Sequence, residues 1–276
     1  MKISIITTFF NSSEHISDCL RSVQKIASTY DVEHILVNDG STDNTLQIIN
    51  NVKAHNIKIV GKKHIGRGHA LNLGLEHASG DYISILDSDD CINPSWIEFF
   101  LDNCSRYQDA GVYFGEASTD LHFFHSPNNV SAMSEKIMNP VKLLFVNPIC
   151  HSGAILKNSD IQNIRGYSLS LKSQFDWDLW LRLSFKDVRF IWFNRLAAFK
   201  RIHANQSFEN KQHFIYTVRG AILQSKAALS KRPIYFLPVL LFSFARIIWS
   251  IFPRKLRTLK LFNMLTVQRL LKMEVM

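Results

Sequence analysis

The 276-residue sequence lacks the features of several protein classes. It has only four cysteines (Cys19, Cys91, Cys104 and Cys150), and no two of them have the spacing of a metal knuckle or of a disulfide framework. It has no internal repeat and no low-complexity linker. These absences argue against a repeat protein and against a disulfide-stapled secreted domain, and they fit a reducing cytosol.

Two common nucleotide-binding loops are also missing. No Gly-x-x-x-x-Gly-Lys-Ser/Thr sequence is present, which argues against a phosphate-loop NTPase. The glycine-rich segment 66–71 lacks a third glycine and does not open the first strand–helix unit. A nicotinamide-dependent dehydrogenase is therefore not favoured.

The net charge of +9 is concentrated at the carboxyl end of the chain. Residues 231–276 contain nine Lys or Arg against one acid, Glu274, so the preceding part is nearly neutral. Such a charge predicts an anionic partner. Because the basic residues are interleaved with long apolar runs, a lipid surface is favoured over nucleic acid.

One long apolar run lies within this basic region. Ile234–Phe252 is nearly all apolar and approaches the ~20 residues needed to span a bilayer. Arg246 in its middle would cost roughly 2.5 to 3.5 kcal/mol on insertion, and Pro238 interrupts helix hydrogen bonding. We therefore expect helices that lie in an anionic membrane interface. Packing against the preceding domain without lipid, and a true span, are the alternatives.

Short apolar runs alternate with helix-like stretches in the first third of the chain. The runs are rich in β-branched residues, as in strands buried on both faces: Ile3–Phe9, His34–Val37, Ile57–Val60 and Tyr82–Leu86. The helix-like stretches are Ser13–Ala27, Asp43–Val52 and Arg67–His77. This alternation predicts an α/β fold of parallel βαβ units, with the ligand crevice at the carboxyl ends of the strands. The polar residues that begin at Asn11 follow too soon for a signal-peptide core and cleavage site, so we interpret the amino terminus as a first strand.

Three aspartates directly follow the fourth predicted strand. In an extended chain residues two apart face the same way, so Asp87 and Asp89 can converge on one point. Such a pair suits Mg²⁺ or Mn²⁺, which take one or two protein carboxylates and complete their shell with water and substrate phosphates. The alternative is a solvated acidic turn, although like charges this close repel unless a cation offsets them.

A second acidic turn follows the second predicted strand. Asp39 stands at the carboxyl end of that strand, where it could accept hydrogen bonds from a nucleobase or a ribose. Asp43 or Thr42 could cap the next helix. Ordinary turn chemistry explains the segment 39–43 equally well, and the other motifs of the chain favour the first interpretation.

Five motifs in this order resemble glycosyltransferase family 2, whose members are inverting enzymes with the GT-A fold. The motifs are Thr7–Asn11, the Asp39 turn, Gly66–Asn72, Asp87–Asp89 and Phe175–Leu183. The resemblance implies a Rossmann-like nucleotide-binding sheet with helices on both faces over residues 1–205. Residues 206–276 would then form a helical, basic and apolar region associated with a membrane.

The resemblance also implies a nucleotide site at the ends of the first strands. The residues that match it are Thr7, Thr8, Asn11, Asp39, Arg67, Asn72 and Asp87. In the family, the position of Asp39 contacts the base, that of Asp87 lies nearer the ribose, and that of Asp89 holds the metal bridging the diphosphate. The expected cofactor is Mn²⁺ or Mg²⁺. For Arg67 a solvated surface charge is the alternative.

Asp176 matches the aspartate of the family's Glu-Asp pair, the general base. An acceptor hydroxyl is a poor nucleophile until a carboxylate within reach takes its proton. Phe175 stands where a glutamate is common, which leaves Asp178 as an alternative base. The other interpretation is that Asp176 only caps a helix whose Trp177 and Trp180 face the core.

Two histidines complete the implied site. His203 lies in a segment, residues 201–207, that resembles the one closing the site in many members, where the histidine joins the metal or the diphosphate. His151 lies in a segment that resembles the acceptor-side wall, where Arg165 replaces a usual glycine. A structural role is the alternative for both histidines.

The sequence therefore predicts a cytoplasmic enzyme, peripheral at the inner face of the plasma membrane. It would move a hexosyl or N-acetylhexosaminyl group from a nucleotide-sugar, by family preference a UDP-sugar, to an acceptor hydroxyl. A saccharide carried on a lipid, as in surface-polysaccharide synthesis, fits a membrane location. A metal-dependent nucleotidyltransferase also uses paired aspartates and stays open as an alternative, as does a non-catalytic sugar-nucleotide-binding membrane scaffold.

Overall fold

A computed structural model of the protein describes residues 1–52, 54–61, 63–120, 134–202 and 213–251. The strands are β1 (Ile3–Phe9), β2 (Val32–Asn38), β3 (Ile57–Val60), β4 (Tyr82–Ile85), β5 (Cys91–Ile92), β6 (Ala110–Ser118), β7 (Glu135–Ile137), β8 (Ile155–Lys157) and β9 (Arg189–Phe199). The helices are α1 (Ile16–Ala27), α2 (Thr45–Asn50), α3 (Arg67–His77), α4 (Pro94–Asn103), α5 (Asn158–Asn163), α6 (Phe175–Ser184), α7 (His213–Lys231) and α8 (Phe236–Ile251). Short 3₁₀ segments are Cys104–Tyr107, Pro140–Leu144 and Pro233–Tyr235.

The strands of the described residues form one mixed sheet. Its order is β3-β2-β1-β4-β8-β6-β9-β5, with β7 paired to β9. The first four strands in this order are parallel, and β8 then runs antiparallel between β4 and β6. Because the carboxyl ends of parallel strands meet at one edge, the segments that follow β2, β1 and β4 come together there.

Helices cover both faces of the parallel strands, as the alternation of the sequence predicts. The buried residues of α1 recur three and four apart, beginning with Ile16, Cys19 and Leu20, and they pack in one core with Ile3 and Ile5 of β1. The α4 helix packs in the same core and begins with a cap, because the Asn93 side chain accepts from the Ser95 backbone N–H at 3.1 Å. The α3 helix packs on β1 and β2 from the opposite face.

The chain divides into two compact units. The first contains residues 1–137, 149–170 and 186–201, and with them the whole sheet. The second contains residues 138–148 and 171–185 together with the chain from residue 202, and thus α6, α7 and α8. The boundary predicted between residues 205 and 206 lies outside the described residues and stays a prediction.

The second unit is built around buried aromatic and amide side chains. The Trp177 indole of α6 donates to the Leu143 carbonyl at 2.7 Å, and Trp180 is fully buried. The Gln224 amide of α7 is buried and donates to the carbonyls of Leu144 (2.9 Å) and Phe145 (2.6 Å). Since buried amides must be satisfied, Gln224 fixes α7 on the 3₁₀ segment.

One helical segment among the described residues is long and apolar enough to cross a membrane. It covers the 19 residues Pro233–Ile251. Over an 18-residue stretch of this segment the mean hydropathy is 1.9 and only 11% is buried. Length and composition alone do not separate a span from a helix in the interface.

A close helix–sheet approach depends on Gly74. A Cβ at this position of α3 would lie 2.4 Å from Ile6 Cγ2 and 3.2 Å from Val37 Cγ2. Both neighbours are β-branched and buried, so they have little rotamer freedom with which to move away. The glycine therefore sets the distance between α3 and the sheet.

We expect Gly74→Val to lower the free energy of unfolding by about 2–3 kcal/mol, because its side chain overfills a packed contact. Urea unfolding followed by circular dichroism measures this change. Glu76→Ala, on the exposed side of the same helix, is the control and should change stability by less than about 0.5 kcal/mol. Equal stability of Gly74→Val and wild type would show that α3 packs differently.

Candidate active site

Three carboxylates gather at the carboxyl end of β4. Oxygen atoms of Asp87, Asp89 and Asp90 all lie within 4.8 Å of one another. The chain turns tightly here, since the Asp90 backbone N–H donates to the Asp87 carbonyl at 3.0 Å. The predicted convergence of the aspartates is therefore present, and the group is of the Asp-x-Asp type.

Arg67 contacts this cluster directly. Its Nη2 lies 2.5 Å from Asp87 Oδ1, and Arg67 is the first residue of α3. Burial alone would raise the pKa of Asp87, but electrostatic interactions, above all with the Arg67 guanidinium, hold that pKa below its ordinary value. Asp87 is thus ionised at neutral pH.

Asp90 is buried and connects the acidic turn to Ser152 and to the backbone of Arg201. Asp90 Oδ2 accepts from Ser152 Oγ at 2.6 Å, and Oδ1 accepts from the Arg201 backbone N–H at 3.0 Å. The Asp87 backbone N–H in turn donates to Ser152 Oγ at 3.2 Å. Burial, together with the charges of Asp87 and Asp89, raises the pKa of Asp90 to about 7.

Arg201 joins the cluster to two other elements. Its Nε donates to the Asp89 carbonyl at 3.1 Å, and its Nη2 donates to Asp18 Oδ2 on α1 at 2.8 Å. Arg201 follows β9 closely, so it links the end of that strand to the acidic turn and to α1. Arg201 begins the segment 201–207 that resembles the one closing the site, and Ser152 follows His151. The sequence assigned neither residue a role of its own, because contacts between distant segments leave no local pattern.

Asp39 holds the segment that leads into α3. Its Oδ1 accepts from the backbone N–H groups of Ile65 (2.6 Å) and Gly66 (3.0 Å), and its Oδ2 lies 3.3 Å from His64 Nδ1. Gly66 directly precedes Arg67, so the two predicted site residues Asp39 and Arg67 are connected through one short loop. Asp39 itself is 5% exposed, which leaves it at the floor of this edge rather than on the surface.

Asn11 connects the ends of β1 and β2. It adopts a positive φ of 50°, and its Oδ1 accepts from the Thr42 backbone N–H at 2.8 Å. Its own N–H donates to Ser41 Oγ at 3.0 Å. Asn11 is exposed, and the Phe10 ring beside it lies 5.0 Å from the His64 ring. The two turns are thereby held next to each other.

The two threonines of β1 have different surroundings. Thr7 is fully buried, with Oγ1 3.0 Å from His34 Nε2, because the odd-numbered residues of β1 face α1. Its side chain therefore lies in the core and not at the sheet edge. Thr8 is partly exposed near the end of the strand.

Asn72 and His151 both hold Tyr167. The Asn72 amide donates to the Tyr167 carbonyl at 2.9 Å and accepts from the Tyr167 N–H at 2.8 Å. His151 Nε2 lies 2.8 Å from the Tyr167 hydroxyl, and His151 is 8% exposed. In the first unit these two predicted site residues thus position one tyrosine.

Asp176 and Asp178 lie in the second unit, on the first turn of α6. Asp176 Oδ2 accepts from Asn147 Nδ2 at 2.7 Å, whereas Asp178 Oδ2 is paired with Arg182 Nε at 2.7 Å. The residue before the helix is Gln174, so Asp176 belongs to the helix itself and does not precede it. His203 lies outside the described residues, and its predicted role stays a prediction.

Comparison with known sequences identifies the family. A profile of Glycosyl transferase family 2 matches residues 4–165, more than half of the chain. The chain belongs to glycosyltransferase family 2. The resemblance predicted from the five motifs is therefore confirmed.

Two bacterial relatives cover most of this glycosyltransferase. EpsE of Bacillus subtilis (strain 168) is 28% identical over 236 residues, which cover 82% of this chain and 81% of EpsE. WfaP of Escherichia coli, a UDP-Glc:alpha-D-GlcNAc-diphosphoundecaprenol beta-1,3-glucosyltransferase, is 28% identical over 212 residues, which cover 76% of this chain and 80% of WfaP.

Solved structures show the same fold. S. aureus TarS 1–349 in complex with UDP-GlcNAc has a TM-score of 0.63 at 16% identity and covers 91% of this chain and 82% of that chain. The mannosyltransferase PcManGT from Pyrobaculum calidifontis, in complex with GDP-Man and Mn²⁺, has a TM-score of 0.60 at 17% identity and covers 96% and 83%. The predicted GT-A fold of this family 2 member is confirmed.

The raised pKa of Asp90 gives the glycosyltransferase a defined pH dependence of stability. In the unfolded chain an aspartate titrates near pH ~3.9. Between about pH 4 and pH 7 the folded protein without metal therefore binds more protons than the unfolded chain, so Asp90 makes stability fall as pH rises through this range. Above about pH 7 both states are ionised and the effect levels off.

We expect Asp90→Asn to remove this slope while it keeps an acceptor for the Arg201 N–H. The stability of the variant relative to wild type should rise from pH 4 to pH 7 in a chelating buffer. Thermal unfolding at a series of pH values measures it. A difference between the two proteins that stays constant with pH would contradict the proposed titration of Asp90.

Proposed function

We propose that this chain transfers a sugar from a nucleotide-sugar to an acceptor hydroxyl with inversion at the anomeric carbon. The observation that carries the proposal is the group of three aspartates at the end of β4, with oxygens within 4.8 Å of one another and Arg67 in contact with Asp87. Membership of family 2 favours glycosyl transfer over nucleotidyl transfer, although both reactions use paired aspartates.

The aspartate cluster fits a hard divalent cation. Carboxylate oxygens are the ligands that Mg²⁺ and Mn²⁺ prefer, and a cation would offset the repulsion among the three charges. We assign the metal to Asp89, with Asp87 beside it. The PcManGT structure contains Mn²⁺ together with GDP-Man, which supports a metal of this kind. When bound, the cation neutralises charge on the diphosphate leaving group.

The ends of β1 and β2 are the proposed nucleoside site. Asp39 is buried at this edge, Asn11 is exposed and Thr8 is partly exposed. Arg67 offers a positive charge for a phosphate. A carboxylate such as Asp39 can accept a hydrogen bond from a base N–H. We favour UDP, because the TarS complex holds UDP-GlcNAc and the name of WfaP specifies UDP-Glc.

Asp176 is the proposed base. Its carboxylate accepts a hydrogen bond from the neutral Asn147 amide at 2.7 Å, whereas the Asp178 carboxylate is occupied by an ion pair with Arg182. In the reaction, Asp176 takes the proton of the acceptor hydroxyl, the acceptor oxygen bonds to the anomeric carbon, and the bond from that carbon to the diphosphate oxygen breaks. One displacement of this kind inverts the configuration and releases a nucleoside diphosphate.

A lipid-linked saccharide is the proposed acceptor, used at the cytoplasmic side of a membrane. The acceptor in the name of WfaP is a sugar on diphosphoundecaprenol, and the apolar segment Pro233–Ile251 offers a means of meeting such a substrate. A glucosyl or N-acetylglucosaminyl group is the first donor sugar to try.

The metal assignment is tested with a donor screen. We expect wild type with Mn²⁺ or Mg²⁺ to release nucleoside diphosphate from one donor, and Asp89→Ala to lose about a hundredfold or more in turnover, because charge on the leaving group is no longer offset. Calorimetry should show weaker Mn²⁺ binding in the same variant. Asp102→Ala, which removes an exposed carboxylate on α4, is the control and should match wild type.

Equal turnover and equal Mn²⁺ affinity of Asp89→Ala and wild type would remove the metal role of Asp89. Release of pyrophosphate in place of a nucleoside diphosphate would instead identify a nucleotidyltransferase. Donor binding without any turnover by the wild type would favour the non-catalytic scaffold.

The base is tested by a pair of neighbouring substitutions. We expect Asp176→Asn to lower kcat by about 10²–10⁴-fold with little change in donor affinity, because the amide cannot take the proton. Asp178→Asn should keep most of the activity and lose some stability with its Arg182 partner. Transfer assays and titration calorimetry with the nucleotide measure both effects. The reverse order of the two variants would assign the base to Asp178.

A further inference from the structure

The helix α8, the last one among the described residues, turns several polar residues inward. Its three buried residues are Val239, Ser243 and Ser250, and Phe242 and Arg246 lie partly buried beside them. A helix that packs on a soluble domain normally turns its apolar stripe inward and its polar face to water. The sequence of α8 thus follows a different requirement from that of α1, whose buried residues are mostly apolar.

Arg246 has its partners inside the second unit. Its guanidinium carbon lies 5.4 Å from the centre of the Trp177 ring and 5.9 Å from that of Phe242. Its Nη1 lies 3.4 Å from the Phe145 carbonyl and 3.3 Å from Gln224 Oε1. The charge at the middle of α8 is therefore directed toward α6 and α7 and away from the outer surface of the helix.

The outer stripe of α8 is entirely apolar. Its residues are Leu237 (61% exposed), Leu241 (62%), Phe244 (63%), Ile248 (43%) and Ile251 (68%). Steps of four and three residues place them on one side of the helix. Leu240 (44% exposed) widens the stripe, and Ile234 (83%) extends it toward the preceding 3₁₀ segment. A contiguous exposed patch of this kind indicates an apolar partner.

The charge around this stripe indicates which apolar partner. Lys231 and Arg232 are exposed just before it, and residues 252–276 contain six Lys or Arg against one acid, Glu274. Basic residues that precede and follow an apolar stripe in the sequence suit the headgroups and the upper acyl chains of an anionic bilayer. A second copy of this chain would bring two such basic regions together, which like-charge repulsion disfavours.

We propose that the outer stripe of α8 inserts into the headgroup region of an anionic bilayer, with the helix parallel to the surface and Arg246 held on the protein side. If α8 crossed the membrane, Arg246 would lie in the hydrocarbon core without its partners, or its partners Gln224 and the Phe145 carbonyl would have to enter the core as well. Both arrangements are unfavourable, because polar and charged groups are costly there. The proposal is independent of the transfer reaction, because it concerns only how the second unit meets lipid.

The test is co-sedimentation of the full chain with vesicles. We expect binding to vesicles of phosphatidylcholine with about one third phosphatidylglycerol, weak binding to pure phosphatidylcholine, and release when ionic strength rises from about 0.1 to about 1 M. The double variant Leu241→Gln, Phe244→Gln should bind at least tenfold more weakly. The double variant Ile137→Gln, Leu169→Gln replaces two exposed apolar residues of the first unit and should bind as wild type does.

Three outcomes would overturn the proposal. If wild type binds neutral and anionic vesicles equally, charge has no role in membrane binding; this comparison needs no variant. Wild type that resists both high salt and alkaline carbonate would indicate a spanning helix. A dimer in lipid-free solution that the α8 double variant makes monomeric, without any loss of vesicle binding, would assign the stripe to a second copy. Circular dichroism of both double variants confirms that they fold.

Discussion

The site depends on holding three like charges together at the end of one strand. Carboxylate oxygens this close repel strongly when little water lies between them, and the turn after β4 tolerates this in two ways. Arg67 offsets Asp87 directly, while Asp90 is held through Ser152 and the Arg201 backbone and can take up a proton near neutral pH. A bound cation would replace these compensations, which is why we regard the aspartate cluster as built for a metal.

The part of this arrangement that is local in sequence could be predicted. β1, β2 and β4 are buried on both faces, so their apolar runs are visible, and each ends in polar residues. Parallel pairing then brings these ends to one edge without further information. Asp87 and Asp89 could be paired from their spacing alone, because alternation in an extended chain is a fixed geometric property.

Contacts that join distant segments were not predictable. The order of the sheet places β8 between β4 and β6, and a strand of three residues has no periodicity to reveal it. The contact of Asn72 could not be predicted either. Its match to the family suggested a nucleotide contact, and in the structure its side-chain amide makes two hydrogen bonds to the backbone of Tyr167, 95 positions away. The motif placed Thr7 in the nucleotide site. Its position in the core becomes visible only from the packing of β1 on α1, which turns the Thr7 side chain toward the helix.

The antiparallel insertion of β8 has a consequence for how the protein is made. During translation β1, β2 and β4 emerge first, but the free edge of β4 has no partner until Ile155–Lys157 follow, roughly 70 residues later, at ribosomal speeds of about 5–20 residues per second. For several seconds the nascent chain therefore presents an unpaired edge strand, the kind of surface that templates aggregation. On rapid growth or overexpression, aggregation would then arise from nascent chains with an unpaired β4 edge more than from low stability of the folded protein.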